Sequence, residues 1–217
     1  MGLSNYAIGG MAVMSSGDIL LSFASSATIP GLIGGHSGTS VTAYDIVRFV
    51  PTSLGANTAG TFYFYFDGSD VGLTKNGEEI DAITLSADGR LVLSMAGSFS
   101  VNGASGDDED LVVFSATSLG SVTAGTFAMF FDGSDVGLSQ NADEDVDAAA
   151  LTSSGVLLFS TVGNFSVGGL TGADEDVAQF TPTSWGSNTA GTFSMFLDLS
   201  TLGISTAADV SSIELVE

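Results

Sequence analysis

The chain has 217 residues, 44% of them hydrophobic, and 25 acidic side chains against three basic ones give a formal net charge of −22. Arg48, Lys75 and Arg90 are too few to neutralise a phosphate backbone, which excludes nucleic-acid binding, and no apolar stretch approaches the roughly 20 residues needed to span a bilayer. The absence of cysteine excludes disulfides, thiolate nucleophiles and zinc–thiolate sites.

The predicted elements, taken in chain order, are short strands separated by turn residues. The first strand begins at about Ile8, after residues 2–4 (GLS), which match residues 137–139. A glycine-rich stretch, residues 29–39, then lengthens one connection and contains the sole histidine, His36. In the second unit the sequence predicts strands A, B, C and D at residues 80–86, 91–101, 111–115 and 126–131. Gly89 supplies the tight A–B turn, because glycine tolerates positive φ.

An internal repeat organises these strands. Residues 66–73 (FDGSDVGL) return unchanged at 131–138 and in degraded form, LDLSTLGI, at 197–204. Residues 60–62 (GTF) recur in the same way at 125–127 and 191–193. The spacing predicts three units, at residues 1–73, 74–138 and 139–204, with residues 205–217 forming the first strand of an incomplete fourth unit.

Strand D is apolar at every position, as in residues 62–66 (FYFYF) and 127–131 (FAMFF). A strand with one solvent-exposed face should alternate apolar and polar residues, so this pattern predicts burial on both faces. Two architectures provide it, a two-layer sandwich and a series of sheets packed like propeller blades. Four strands recurring at a fixed period favour the second, and the predicted fold class is therefore all-β, with three four-stranded propeller-like blades and an extra C-terminal strand.

The runs FDGSDVGL, EDVDA (residues 144–148) and DEDL (residues 108–111) resemble the tandem repeats of secreted bacterial surface proteins that are usually interpreted as β-propeller blades. The resemblance covers nearly the whole chain. It implies a propeller-like fold and an extracellular or cell-surface setting, although residues 1–5 carry no secretory signal. It implies no particular reaction, because many functions share this fold.

Three units are too few to close a propeller, which typically needs four to eight blades. An unpaired end would also expose apolar sheet faces and a strand edge. We therefore expect self-association, either of two chains into a six-bladed ring or of chains tiled end to end with the C-terminal strand donated to a neighbour. The alternative is a segment cut from a longer array.

If the strands form a meander, the B–C and D–A connections lie at one end of each sheet. That end then carries every acidic residue except Asp18, Asp88, Glu214 and Glu217. Dense carboxylates repel one another unless they are neutralised, and Ca²⁺ prefers such oxygen ligands. The predicted calcium ligands are Asp67, Asp70, Glu79, Asp81, Asp110, Asp132, Asp135, Asp145, Asp147 and Asp176.

Two alternatives to calcium remain open, a solvated acidic face and Asx-type capping of turns by Asp67 and Asp132. In the third unit Thr201 replaces the second aspartate of the motif, which predicts a weaker site there.

Nothing in the sequence predicts an enzyme. His36 lacks a second histidine or a cysteine and is expected to be an exposed loop residue, and Trp185 aligns with Leu54 and Leu119, which predicts a packed side chain. The acids recur in every unit, whereas an active site is usually built once. We therefore predict a non-enzymatic extracellular structural protein that assembles as a surface layer, filament or oligomeric propeller. The alternatives are a calcium-dependent module that binds a glycan or a protein, and a carboxylate-pair hydrolase.

Overall fold

The computed structural model describes residue 3 and residues 5–215, and it is all-β, with three four-stranded antiparallel sheets that we call sheets I, II and III. In each sheet the strands are adjacent in chain order. Sheet I contains β1 (Ile8–Val13), β2 (Ile19–Phe23), β5 (Ile46–Ser53) and β6 (Ala59–Phe66). Sheet II contains β7 (Ile80–Leu85), β8 (Leu91–Met95), β11 (Leu111–Ser118) and β12 (Ala124–Phe131). Sheet III contains β13 (Ala148–Leu151), β14 (Leu157–Ser160), β17 (Val177–Ser184) and β18 (Ala190–Leu197).

A two-stranded hairpin lies between the second and third strands of every sheet, and the sequence did not predict it. The hairpins pair β3 (Ala27–Thr28) with β4 (Ser40–Val41), β9 (Phe99–Val101) with β10 (Ala104–Gly106), and β15 (Phe165–Val167) with β16 (Leu170–Gly172). The single strand predicted at residues 91–101 is therefore wrong. The chain leaves β8 at Met95, and Gly103, with φ of 102°, allows the reversal that pairs β9 with β10.

A 3₁₀ helix follows the outer strand of each sheet, at Ser69–Val71, Ser134–Val136 and Ser200–Leu202. Each ends at a glycine with positive φ, Gly72, Gly137 or Gly203, which the turn requires. Within the described residues, no helix has the length and apolar character needed to cross a membrane.

The outer strand of sheet I is fully buried on one face and half-buried on the other. In β6, Phe62, Phe64 and Phe66 are buried, whereas the alternating Tyr63 and Tyr65 are half-buried. The expectation that the outer strands are covered on both faces is therefore met only in part for β6, and β18 has no fully buried residue on either face. The tyrosine face keeps partial contact with water and with Arg48, whose guanidinium carbon lies 5.4 Å from the centre of the Tyr63 ring.

The sheets pack in series through their first strands. Ser22 Oγ on β2 donates a hydrogen bond to the carbonyl oxygen of Ile80 on β7 at 2.8 Å and accepts one from the Gly10 amide at 2.7 Å. A β-carbon at Gly9 would lie 2.6 Å from the same carbonyl oxygen, so this approach of β1 to β7 requires glycine. The Leu151 amide of β13 likewise donates to Thr84 Oγ1 of β7 at 3.1 Å.

The C-terminal segment, residues 209–215, was predicted to be a strand, and this is wrong for the part that the structure describes; residue 216 lies outside it. Instead of a hydrogen-bonded ladder, its contacts with sheet III include apolar packing and a bond from the Val210 amide to the Asp174 carbonyl at 3.0 Å. It also reaches sheet I, because Glu214 Oε2 accepts the Val13 amide at 2.7 Å. The packing joins Val210, Ile213 and Leu215 to Ala150, Leu158 and Val177.

Candidate functional site

The acidic end of each sheet contains a recurring aspartate that ties two connections together. Asp110 Oδ2 accepts the amide of Asp107 at 3.0 Å, and its Oδ1 accepts the amide of Gly133 at 2.9 Å. Asp45 and Asp176 make the equivalent contacts in sheets I and III. Burial raises the pKa of Asp110 to about 6, against the opposing effect of the two amides. Asp110 and Asp176, both predicted calcium ligands, therefore have a structural role.

A clasp joins each sheet to the next. The Asp67 amide donates to Thr123 Oγ1 at 2.9 Å, and the Thr123 amide donates to Asp70 Oδ2 at 2.8 Å. The Gly120 amide completes the clasp with a bond to the Tyr65 carbonyl at 2.8 Å. Sheets II and III repeat all three contacts with Asp132, Asp135, Thr189, Gly186 and Phe130. Asp70 and Asp135 are thus acceptors in the clasps.

Three further predicted ligands accept local hydrogen bonds. Asp67 Oδ1 accepts the amide of Ser69 at 3.1 Å and its hydroxyl at 2.7 Å, and Asp132 Oδ1 accepts the hydroxyl of Ser134 at 2.7 Å. Glu79 Oε2 accepts the amide of Gly77 at 2.6 Å. The contacts of Asp67 and Asp132 are those of the Asx-type alternative.

The remaining three predicted ligands, Asp81, Asp145 and Asp147, are different. Both carboxylate oxygens of Asp81 are buried without a hydrogen-bond partner, and so is Oδ1 of Asp145 and of Asp147. The last two residues are only 8% and 6% exposed. Asp108 and Glu109 in the neighbouring connection each have one buried carboxylate oxygen without a hydrogen-bond donor. Buried carboxylate oxygens without donors are costly, so this group requires an explanation.

These carboxylates form a row across the junction of sheet II, sheet III and the C-terminal segment. The side chain of Asp145 is within hydrogen-bonding reach of Asp81, and that of Asp147 is within reach of Asp209. Burial, reinforced by the neighbouring charges, raises the pKa of Asp145 to about 7 and that of Asp147 to about 8. The pKa of Asp81 is also raised, first by burial and then by Asp145 and Asp147.

The structure brings the row together as pairs. Across residue 3 and residues 5–215, no three His, Asp or Glu side chains converge on one point as a ready-made metal cage. The sequence predicted acids at this end of the sheets but not which of them are paired. The signal that distinguishes them is position, because Asp81 and Asp147 lie at or just before the first strand of a sheet, whereas Asp70 and Asp135 lie in a 3₁₀ turn.

His36 is half-exposed and less isolated than expected. Its Nδ1 lies 2.9 Å from Asp67 Oδ2, and its Nε2 lies 2.9 Å from Ser37 Oγ. The glycine-rich stretch around it packs on β6, where Ile33 exchanges backbone hydrogen bonds with Phe62 and Phe64. The order Ser–His–Asp is that of a hydrolase relay. Asp67 also accepts hydrogen bonds from Ser69. The His36–Asp67 contact therefore fits a structural role equally well, in which it attaches the glycine-rich stretch to sheet I.

The outer surface of sheet III is exposed where sheets I and II are covered. Leu73, in the first copy of the motif, is fully buried and Val71 is 8% exposed, but the matching Ile204 and Leu202 are 44% and 67% exposed. Phe196, which matches Phe130, is 51% exposed. The sequence predicted that an unpaired end would expose an apolar sheet face, but it did not predict which residues form that face; the degraded third motif was a signal for their position.

Trp185 packs as expected. Its ring stacks on Phe130 of sheet II with centroids 4.6 Å apart, and it lies edge-on to Phe131 and Phe180. It is therefore part of the junction between sheets II and III.

Comparisons of the chain with known protein families, with curated proteins and with solved structures gave no match.

Proposed function

We propose that the protein is a non-enzymatic extracellular structural module, with propeller-like sheets and Ca²⁺ at its acidic end, whose copies assemble head to tail. The observation that carries this proposal is the exposed outer surface of sheet III, formed by Phe196, Leu202 and Ile204. In sheets I and II the corresponding surface is covered by the next sheet. An exposed apolar surface beside a free strand edge favours association.

A propeller-like arrangement is supported by the inner strands. β1, β7 and β13 pack on one another in series, and the C-terminal segment contacts both sheet III and β1. These four stretches line one shared depression, to which Ala12, Leu85, Leu151 and Leu215 contribute. Of these four stretches, only three belong to complete sheets. The space outside the fourth, the C-terminal segment, is therefore open, and it borders the exposed surface of sheet III.

The partner that fits this surface is a second copy of the chain. Within one chain, Gly120 and Thr123 of sheet II bind the end of sheet I, and Trp185, Gly186 and Thr189 of sheet III contact the end of sheet II. Sheet I presents the same set in the same chain order, Leu54, Gly55 and Thr58. Leu54 is 62% exposed, and Thr58 Oγ1 donates to the Gly55 carbonyl just as Thr123 Oγ1 donates to that of Gly120.

Charge favours this mode of approach. Residues 51–60, which contain Leu54 and Thr58, carry no charged side chain, although the net charge is −22. Two copies therefore meet through a neutral end of one molecule, which limits the electrostatic repulsion between them. Because Thr201 replaces the second aspartate, the contact between copies lacks one clasp hydrogen bond and should be weaker than the junctions within a chain.

The test is sedimentation of the wild-type chain and of Phe196→Asp and Leu54→Asp, in physiological salt, over a range of concentrations. We expect the wild type to form chains or rings that grow with concentration and each variant to be monomeric. A mixture of the two variants should stop at dimers, because each retains one intact surface.

Val122→Asp, at a side chain that is 73% exposed, is the matched control and should assemble normally. A wild type that stays monomeric at every concentration would refute head-to-tail assembly. So would a control that fails to assemble, or a mixture of the two variants that forms no dimer.

The enzyme alternative has its own measurement. The Ser37, His36 and Asp67 contacts are the feature that a hydrolase would use, and a fluorophosphonate probe reacts with an activated serine. We expect no labelling of Ser37 in the folded chain. Labelling that disappears in His36→Gln would overturn the non-enzymatic proposal.

A further inference from the structure

The acids at the junction between sheets II and III are not required for the backbone contact that they accompany. The Val146 amide donates to the Asp108 carbonyl at 3.0 Å, and the Val210 amide donates to that of Asp174 at the same distance. At the junction between sheets I and II the Ile80 amide makes the identical bond to Ala43. A neutral alanine therefore suffices for this contact, and the acids serve another purpose.

The same comparison holds on the inner strands. Gly9 of β1 occupies the position that Asp81 has in sheet II and Asp147 has at the start of sheet III. The junction between sheets I and II thus has a glycine and a serine hydroxyl at this position. The junctions on the two sides of sheet III have carboxylates at the same position. Asp145 and Asp147 are more than nine-tenths buried, and each directs an unpartnered oxygen into the row.

Within the part of the chain that the structure describes, the cationic side chains pair with acids outside this row. Arg48 pairs with Asp18 at 3.7 Å, Lys75 with Glu78 at 3.7 Å and Arg90 with Asp88 at 2.8 Å. His36 pairs with Asp67. Buried carboxylates are usually paired with a cation, hydrogen-bonded or bound to a metal, and among the described residues the partners of these side chains are other acids, Asp81 for Asp145 and Asp209 for Asp147.

We infer that Ca²⁺ binds at each of two carboxylate pairs, Asp81–Asp145 between sheets II and III and Asp147–Asp209 between sheet III and the C-terminal segment. The inference rests on the calcium part of the proposed function and locates it away from the FDGSD turns. It is independent of assembly, because every ligand comes from one chain. An ion on the Asp147–Asp209 pair would hold the C-terminal segment against sheet III, since Asp209 belongs to that segment.

The chemistry of the row selects the ion. All the groups are hard oxygen donors, with no imidazole or thiolate among them, and Ca²⁺ accepts such ligands in flexible, irregular geometry together with water. Mg²⁺ demands near-octahedral geometry and retains its water, so paired carboxylates on two separate elements suit it less well. Asp108, beside Asp145, has a further buried oxygen that lacks a partner.

The experiment uses chelator-treated protein at about pH 9, above the raised pKa values of Asp145 and Asp147. Ca²⁺ is titrated by calorimetry up to ~10 mM, above the ~1 mM dissociation constants of weak extracellular sites. We expect binding and a rise in Tm of about 4 °C at tenfold saturation. Asp145→Asn and Asp147→Asn should each weaken binding by roughly tenfold or more.

Asp143→Asn is the matched control, since it removes one charge from the same connection at an exposed side chain. It should bind Ca²⁺ as the wild type does. All titrations are repeated in the Phe196→Asp background, so that a loss of assembly cannot be mistaken for a loss of the ion. The inference is overturned if the wild type shows no heat and no shift, if Asp143→Asn is impaired equally, or if NaCl of equal ionic strength reproduces the shift.

Discussion

The Thr123 amide lies 2.8 Å from Asp70 Oδ2, while the Thr123 hydroxyl oxygen accepts the Asp67 amide at 2.9 Å, so one threonine of sheet II holds both aspartates that end sheet I. Thr123 is 3% exposed. Thr123→Val should leave the buried Asp67 amide without an acceptor and lower the free energy of unfolding by about 1–3 kcal/mol. Urea denaturation measures this change.

Thr58→Val is the control for this prediction. Thr58 has the same local bond to the carbonyl three residues earlier but is exposed and holds no preceding sheet. Its substitution should cost less than about 0.5 kcal/mol in the monomer. Equal losses in the two variants would mean that the clasp between sheets contributes nothing.

Ser22 links the first strands of sheets I and II, and it is fully buried. Ser22→Ala removes the acceptor of the Gly10 amide and the donor to the Ile80 carbonyl, and we expect a loss of about 1–3 kcal/mol in the free energy of unfolding. Ser94 occupies the matching place in sheet II, with a single bond of 3.3 Å to the Asp110 carbonyl. Ser94→Ala should therefore be the milder of the two in urea denaturation.

Stability in the presence of chelator should fall as pH rises. The folded-state pKa values of Asp145 and Asp147 are raised to about 7 and 8, above the ~4 of an unfolded aspartate, so the folded state holds more protons between these values. Their contribution to stability is complete below about pH 4 and is lost as pH rises through about 8. The groups facing them are Asp81, Asp108 and Asp209.

Thermal unfolding from about pH 5 to pH 9 checks this sign. One pH unit of differential protonation is worth about 1.4 kcal/mol per group, so Tm should fall by roughly 4 °C or more over this range. Asp147→Asn should flatten the dependence, because the amide does not titrate. A Tm that rises over the same range would contradict the burial of these carboxylates.

Trp185 should report on the junction between sheets II and III. Trp185→Leu, which introduces the residue of the other two units, removes the stacking on Phe130 and should cost about 1–2 kcal/mol. Leu54→Trp in that background places the same ring on the exposed sheet I surface. Its fluorescence should lie at longer wavelength than that of Trp185 and move to shorter wavelength when copies assemble.

Part of the site could be predicted from the sequence and part could not. The meander places the B–C and D–A connections at one end, so the location of the acids followed from strand order alone. The hairpin at β9 and β10 was missed because residues 91–101 are nearly all strand-like, and only the pairing made possible by Gly103 divides them. The exposure of Leu202 and Ile204 depends on whether a neighbouring sheet covers them, and the degraded third motif signals only that this copy differs from the other two.

Strand composition and repeat spacing determine by themselves that this chain forms antiparallel four-stranded sheets, because turn glycines and β-forming runs act over a few residues. Only the tertiary structure decides what each carboxylate does. Asp70 and Asp81 are the same residue type at the same end of the sheets, yet Asp70 meets the amide of Thr123, 53 residues away, and Asp81 meets other acids. Burial and partners are set by contacts between sheets, and these exist only after the chain has packed.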